Sequence, residues 1–381
     1  MGSTPSLTQM QLLGVASDVN VAEGYPRFQP TEGQAAILSR LGELMDEARD
    51  TPFPHLETRA HEAFFHALGQ RSAPIASGRI LSTYSSTVAI DIALAALARR
   101  VTTVGLIHPV IDCIPALMRA RGLHAVPLSE QDVAGGDPFT RHPDIEAILT
   151  ANPNNPTGTV MDAAALERLA VACAERRVPL LIDQCFRAFD SRVQFDTYAL
   201  LNGSGAEYVV IEDTGKLWPT GGVKLGFLAW GARTRLDLVE VASDVLLTAP
   251  PFSTIVVEHF ARDMADGGME LLHQRIAANR ALLRHALQGC DQAVVADRSS
   301  RVSVSRLRLA DGLTGTRLWG QLLREGVHAV PCRPFYWSNG RSGERYLRIA
   351  LAREPHVVTR AADTVRKLVE KGAIAATERA L

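Results

Sequence analysis

No stretch of this sequence approaches the ~18 consecutive apolar residues needed to cross a bilayer, so no membrane-spanning helix is expected. The opening Met1-Gly-Ser-Thr-Pro-Ser6 has neither a basic start nor an apolar run, which argues against a secretory leader. Charge of one sign is not in excess. The 40 Lys+Arg and 41 Asp+Glu leave a formal net charge of -1, which provides no electrostatic basis for holding nucleic acid or an anionic membrane. Cysteine is scarce as well. Cys113, Cys173, Cys185, Cys290 and Cys332 are scattered and odd in number. They read as reduced thiols of a cytoplasmic protein, neither a disulfide framework nor a zinc site. Fixed-period repeats and low-complexity linkers are also missing.

What is present is a chain long enough for two lobes and a substantial core: 381 residues, 46% of them hydrophobic. Residues 1–34 do not read as a core element. Thr8 to Ala16 suits a short helix with Thr8 as its cap, and the polar, glycine-punctuated Ser17–Arg27 that follows suits a flap covering a site. Residues 35–250 open with helices over Glu32–Ala48 and Arg59–Leu68, then alternate strands with helices. Strand-like runs fall at Val104–Ile107, Ala125–Leu128, Ile145–Leu149, Val178–Ile182 and Tyr208–Ile211, with Leu225–Trp230 beyond. Such alternation predicts an α/β fold with a mostly parallel sheet, whose sites lie beyond the carboxyl ends of its strands. Residues 251–381 read as a long helical connector, broken at Gly267-Gly268, and a smaller α+β lobe. Its strands are expected at Val302–Leu309, Val327–Val330 and Tyr346–Ala350, before a closing helix over Arg360–Lys371.

The polar motifs all follow strands. His108-Pro109 follows one, Asn152-Pro-Asn-Asn-Pro-Thr-Gly158 another, and Asp183 and Lys216 two more. Lys216 lies between two apolar strands, where lost hydration is expected to lower its pKa and make it a usable amine nucleophile. Taken alone, a loop lysine is more often a surface residue.

Taken together, these motifs resemble the fold-type-I pyridoxal-phosphate enzymes of the aspartate-aminotransferase class, over roughly residues 35–375. Asn155, Asp183, Lys216 and Arg348 stand in the family's order. The resemblance implies a homodimer with composite active sites and pyridoxal 5'-phosphate bound covalently to Lys216, which later shuttles protons at the substrate alpha carbon. Asp183 then pairs with the pyridinium nitrogen and Asn155 with the phenolic oxygen. Ser85 and Ser86, opening a helix, suit the phosphate. Lys224 replaces the usual phosphate-binding arginine, keeping the charge but losing the planar fork. Arg348 matches the clamp on the substrate carboxylate. Cys185 and Phe186 fall beside the cofactor, Phe186 where many members carry tyrosine. Ile111 takes the place of the aromatic that stacks on the ring. Asp213 replaces a phosphate-binding serine, and a carboxylate there fits a cationic substrate better than phosphate.

A narrower resemblance is carried by Asn20-Val-Ala-Glu-Gly24, Tyr84-Ser-Ser86, Ile211-Glu-Asp-Thr-Gly-Lys-Leu-Trp-Pro-Thr220, Ala265-Asp-Gly-Gly268 and Pro331-Cys-Arg-Pro-Phe335. These are similar to the oxygen-dependent pyridoxal-phosphate arginine oxidases and hydroxylases of enduracididine-type antibiotic pathways. That likeness implies an N-terminal segment over the substrate and acidic groups on its guanidinium. Here Gln11 stands for an expected glutamate, Glu23 for an aspartate, and Tyr25 for the histidine tied to hydroxylation. Tyrosine, with a reference pKa near ~10, is a poor base at neutral pH compared with histidine near ~6.5. The expected activity is oxidation of L-arginine or a related cationic amino acid by O2, to a 2-oxo acid or its 4-hydroxy derivative. An aminotransferase, or a cyclase of the capreomycidine or enduracididine type, is the alternative.

Overall fold

The computed structural model describes residues 6–15 and 17–377. The chain starts with helix α1 (Leu7–Leu13) and a short strand β1 (Val19–Asn20), then helices α2 (Glu32–Ser39), α3 (Leu41–Asp50) and α4 (Phe53–Ala67). Strand β2 (Ile80–Thr83) leads into helix α5 (Ser86–Ala98). The strands β3 (Thr103–His108), β4 (His124–Ser129), β5 (Ala147–Ala151), β6 (Leu180–Asp183), β7 (Tyr208–Asp213) and β8 (Gly226–Trp230) follow. These form a seven-stranded sheet in the order β2-β8-β7-β6-β5-β3-β4. β3 to β7 run parallel, while β8 is antiparallel to both β7 and β2. The expected mostly parallel α/β sheet is therefore present. β5 and β7 are buried along their whole length, which explains why they read as continuous apolar runs without alternation.

A second sheet contains β9 (Ala293–Val295), β10 (Val304–Leu309), β12 (Val330–Pro331) and β13 (Tyr346–Ala350), in the order β12-β13-β10-β9, all antiparallel. Between them β11 (Val327–His328) pairs in parallel with β1 instead. The single strand expected over Val327–Val330 is thus two strands in two sheets, parted at Ala329. One expected helix also becomes two. The run Glu32–Ala48 breaks at Arg40, whose backbone (φ -106, ψ 15) leaves helical geometry. The shorter α2 and α3 each pack on the helix Pro251–Asp263. That helix does break at the Gly267-Gly268 pair, with Gly267 at φ 96.

The N-terminal segment corrects a larger expectation. It has a place in the core: Val19, Val21 and Ala22 are buried, as are Leu7 and Met10 of α1. The cap of α1 is Ser6, whose hydroxyl accepts from the Gln9 amide while the Gln9 side chain returns to Ser6. Thr8 lies inside the helix, and Ala16 lies outside the described residues. Beyond α1 the chain joins the smaller sheet by main-chain bonds. Val21 N donates to His328 O at 2.8 Å and Ala350 N to Val21 O at 2.7 Å. Arg353, 1% exposed, closes the arrangement. Its guanidinium donates to the carbonyls of Asn20 (2.6 Å), Glu23 (2.6 Å) and Tyr25 (2.5 Å).

These bonds make Arg353 the tie that fixes the path of residues 20–25. We expect Arg353→Met to strand three buried carbonyls and destabilise the segment by about 3 kcal/mol or more. Amide exchange of residues 19–25 should accelerate while β5–β7 stay protected. Unchanged exchange in residues 19–25 would refute the assignment.

Candidate active site

The carboxyl ends of β5, β6 and β7, the start of α5 and the turn after β3 surround one cavity, which α1 and the Gly24-Tyr25 stretch close from the other side. Of the side chains singled out from the sequence, all but Glu23 line it. The position follows from topology. The chain reverses direction in the sheet next to β3 and β5, and a crevice opens beyond strand ends at such a point.

Asp183 ends β6 on the cavity floor. One carboxylate oxygen accepts from the Cys185 amide at 3.0 Å. Burial pushes its carboxyl above the ordinary range, against the opposing pull of Cys185 hydrogen bonds and the Lys216 charge. Lys216 reaches the cavity from the turn after β7. Its Nζ lies 2.5 Å from Asp213 Oδ2 and 5.3 Å from the Phe186 ring centroid. Burial is the largest influence on this amine and lowers its pKa, as expected. The carboxylate of Asp213, joined by Cys185 and Asp183, outweighs it, and the net shift is upward. The expectation of a lowered pKa is therefore corrected: the neighbouring carboxylates, Asp213 first, win over desolvation.

Arg348, on β13, is 2% exposed. Nη1 donates to Asn155 Oδ1 at 3.2 Å and Nη2 to Ala22 O at 2.5 Å, while its buried Nε has no partner among the described residues. Burial lowers its pKa to about 10, so it stays charged at neutral pH. On the opposite wall Ser85 caps α5, its hydroxyl accepting from the Val88 amide. Gly226 of β8 passes so close that a Cβ there would sit 2.3 Å from the Ser85 carbonyl carbon. Lys224 Nζ meets the Tyr25 hydroxyl at 2.6 Å and lies 4.7 Å from its ring centroid.

Two acidic residues behave differently from their expected setting. Asp213 is engaged by Lys216, and Glu23 is paired with Arg27 at 2.7 Å and lies off the cavity. Gln11 lines the cavity and donates weakly to Ala22 O at 3.3 Å. Sequence reasoning missed Asp112. It lines the cavity beside Ile111, accepts from the first amide of α1 (Leu7 N, 2.7 Å), and is pushed upward in pKa by burial. Its partner lies 105 positions away in sequence, so no local pattern could disclose the contact. Arg353 was missed for the same reason.

The family described as aminotransferase class I and II matches residues 26–365. The chain belongs to that family. It is 39% identical to MppP, whose structure was solved soaked with the product 2-ketoarginine; the match covers 92% of this chain and 99% of that one, with a TM-score of 0.90. Histidinol-phosphate aminotransferase of Yersinia pestis is 29% identical over 153 residues, 38% of this chain. The chain therefore spans only 37% of the length of that curated relative. An aminotransferase from Mycobacterium tuberculosis (18% identity, TM-score 0.79, covering 97% of this chain and 98% of that one) shares the fold.

The cofactor of this family is pyridoxal 5'-phosphate, and the donor set suits it. A half-buried carboxylate at Asp183 complements a protonated ring nitrogen. A primary amine stands over the cavity at Lys216. The start of the 13-residue helix α5, with Lys224 opposite, complements a phosphate. No group of His, Cys, Asp and Glu suited to a metal occurs among the described residues. Nor does any described helix have the length and apolarity to cross a membrane.

The Lys216–Asp213 pair generates a prediction with a definite sign. A raised lysine pKa leaves less neutral amine at pH 7. Asp213→Asn removes the carboxylate that raises it, and we expect faster covalent capture of added pyridoxal phosphate by the apoprotein near neutral pH, with the advantage vanishing as pH rises. Stopped-flow absorbance measures the rate; an equal or slower rate at pH 7 would contradict this account.

Proposed function

We propose that this protein is an oxygen-dependent pyridoxal-phosphate oxidase of L-arginine or a related cationic amino acid, giving the 2-oxo acid. The observation that carries the reading is the 39% identity, over nearly the whole length, to a protein solved with its product 2-ketoarginine. The cover that α1 and Tyr25 place over the cavity supports it, because a closed site protects reactive intermediates from water. In balanced form the amino acid, O2 and water yield the 2-oxo acid, ammonia and hydrogen peroxide.

Pyridoxal phosphate, when bound, serves as the electron sink that acidifies the substrate alpha carbon. The chain's own residues supply the rest. Lys216 moves the alpha proton, and Asp183 keeps a positive charge against its carboxylate. Arg348 receives the substrate carboxylate, having a free Nε and a pairing with Asn155 that can be exchanged. Lys224, Ser85 and Ser86 hold phosphate, with the Tyr25 hydroxyl on Lys224. Gln11, on the cavity wall, faces the distal end of the substrate, whereas Asp213 is held by Lys216 and meets a cationic substrate only when that pairing is released. Gln11 cannot neutralise a guanidinium, so binding of arginine rests on fewer anions than a glutamate there would supply.

The test is an amino-acid panel run in air and under nitrogen, read for hydrogen peroxide, ammonia and products by mass. Arginine should be consumed only in air, with a 2-oxo acid outweighing hydroxylated product. Efficient turnover under nitrogen with an added 2-oxo acid would establish the aminotransferase reading, which family membership favours. Lys216→Ala should abolish turnover, and borohydride should fix the cofactor on Lys216 alone. Tyr25→His should raise the hydroxylated fraction by restoring a base effective at neutral pH.

The functional unit in this proposal is a homodimer. Leu12 and Leu13 of α1 stand 65% and 62% exposed, an apolar edge beside the cavity that a second copy would cover. A monomer by light scattering at micromolar concentration, fully active, would sink this part.

A further inference from the structure

Away from the cavity, the helix Glu270–Ala286, the turn Ser191–Val193 and the loop 298–301 form a groove of about 630 Å³, a size that takes a small molecule. Arg192, Arg280, Arg284, Arg298 and Arg301 line it, and no Asp or Glu does. In a chain with net charge -1, that is a local concentration of one sign. Two carboxylates lie near but are committed elsewhere. Asp190 is paired with Arg192 at 2.5 Å, and Asp297 with Arg306 at 2.7 Å. Arg280, Arg284, Arg298 and Arg301 have no ion-pair partner among the described residues.

The groove also holds polar atoms without partners. Arg280 is 3% exposed. Its Nη2 donates to the carbonyls of Val302 (2.5 Å) and Val304 (3.2 Å), but its buried Nη1 donates to nothing among the described residues. Ser300, 5% exposed, has a buried Oγ in the same condition. A buried guanidinium left half-used is costly, and here burial, helped by Arg284, lowers its pKa to about 10. The rest of the frame is braced. Arg301 Nη1 donates to Ser191 Oγ at 2.8 Å and Arg192 Nη2 to Ser299 O at 3.0 Å.

We propose that this groove is a binding site for a small phosphate-bearing anion, separate from the cavity that holds Lys216. Four guanidinium groups with no ion-pair partner among the described residues match a multiply charged phosphate better than a single carboxylate. The groove shares walls with the active site. Gly158, in the Asn155–Gly158 turn, packs on Ser300 so closely that a Cβ would meet Ser300 Oγ at 2.0 Å. Phe189, which lines the groove, packs on Phe186 of the cavity at 5.7 Å between ring centroids. An anion here therefore sits against elements that also shape the catalytic cavity, although the proposal concerns binding and does not depend on the oxidase reading.

Isothermal titration of the cofactor-loaded protein with inorganic pyrophosphate at low ionic strength tests it. Arg298 and Arg301 are exposed, so the double variant Arg298→Gln, Arg301→Gln should fold normally, with its cofactor absorbance as the check. We expect saturable one-site binding, weakened roughly tenfold or more in the double variant, with the cofactor absorbance unchanged throughout the titration. Absence of binding at millimolar pyrophosphate would overturn the proposal, as would equal affinity in the double variant. Succinate binding as tightly as pyrophosphate would overturn the assignment to phosphate. Loss of cofactor absorbance as pyrophosphate binds would place the anion in the cofactor cavity and overturn it too.

Discussion

Two buried guanidinium groups, Arg348 within β13 and Arg353 just beyond it, decide where the N-terminal segment runs, and the cavity is closed because of where it runs. Arg353 gathers the carbonyls of Asn20, Glu23 and Tyr25, and Arg348 takes that of Ala22. Desolvating such groups costs several kcal/mol, and charge-assisted bonds to otherwise unsatisfied carbonyls offset that cost. Burial lowers the pKa of Arg353 to about 9 and that of Arg348 to about 10. Both remain cations at neutral pH. The arrangement joins two tasks, since Arg348 faces the cavity while its other nitrogen holds the segment that covers it. Any movement of that segment must change what Arg348 can bind.

The chemistry of the cavity is set by a second competition, between burial and pairing. Lys216 stands among Asp213, Asp183 and Cys185, and the nearby carboxylates outweigh desolvation. An isolated lysine in the same enclosure would shift the other way. Phe186 lies against this amine with its ring alone, so it contributes no hydroxyl to the site. Tyr25 carries its hydroxyl instead to Lys224, on the side where α5 begins. The site is thus built from ion pairs and one helix terminus, with apolar surface at Phe186 and Ile111.

Much of this was legible in the sequence because it is local. Strand ends are marked by polar residues following apolar runs, and the family match covers 26–365, the stretch over which Asn155, Asp183, Lys216 and Arg348 keep their order. All four line one cavity. Continuous apolar runs located β5, β6 and β7 because strands buried on both faces must be apolar throughout. Pattern alone failed at Val327–Pro331, where five residues serve two sheets, and at Arg40, where packing on the helix Pro251–Asp263 splits one helical run.

By itself, the sequence determined the α/β class, the family, the cofactor and most of the side chains that line the cavity, though not Asp112 and wrongly Glu23, since these rest on short motifs whose meaning does not depend on distant partners. Tertiary structure alone decided three other matters. It brought Asp112 onto the start of α1, it placed Arg353 under the N-terminal carbonyls, and it turned the expected fall in the pKa of Lys216 into a rise. Each depends on a distance between groups that chain order does not encode. Electrostatic energies vary with separation and burial, so the residues could be named from the sequence, while the sign of their coupling required the fold.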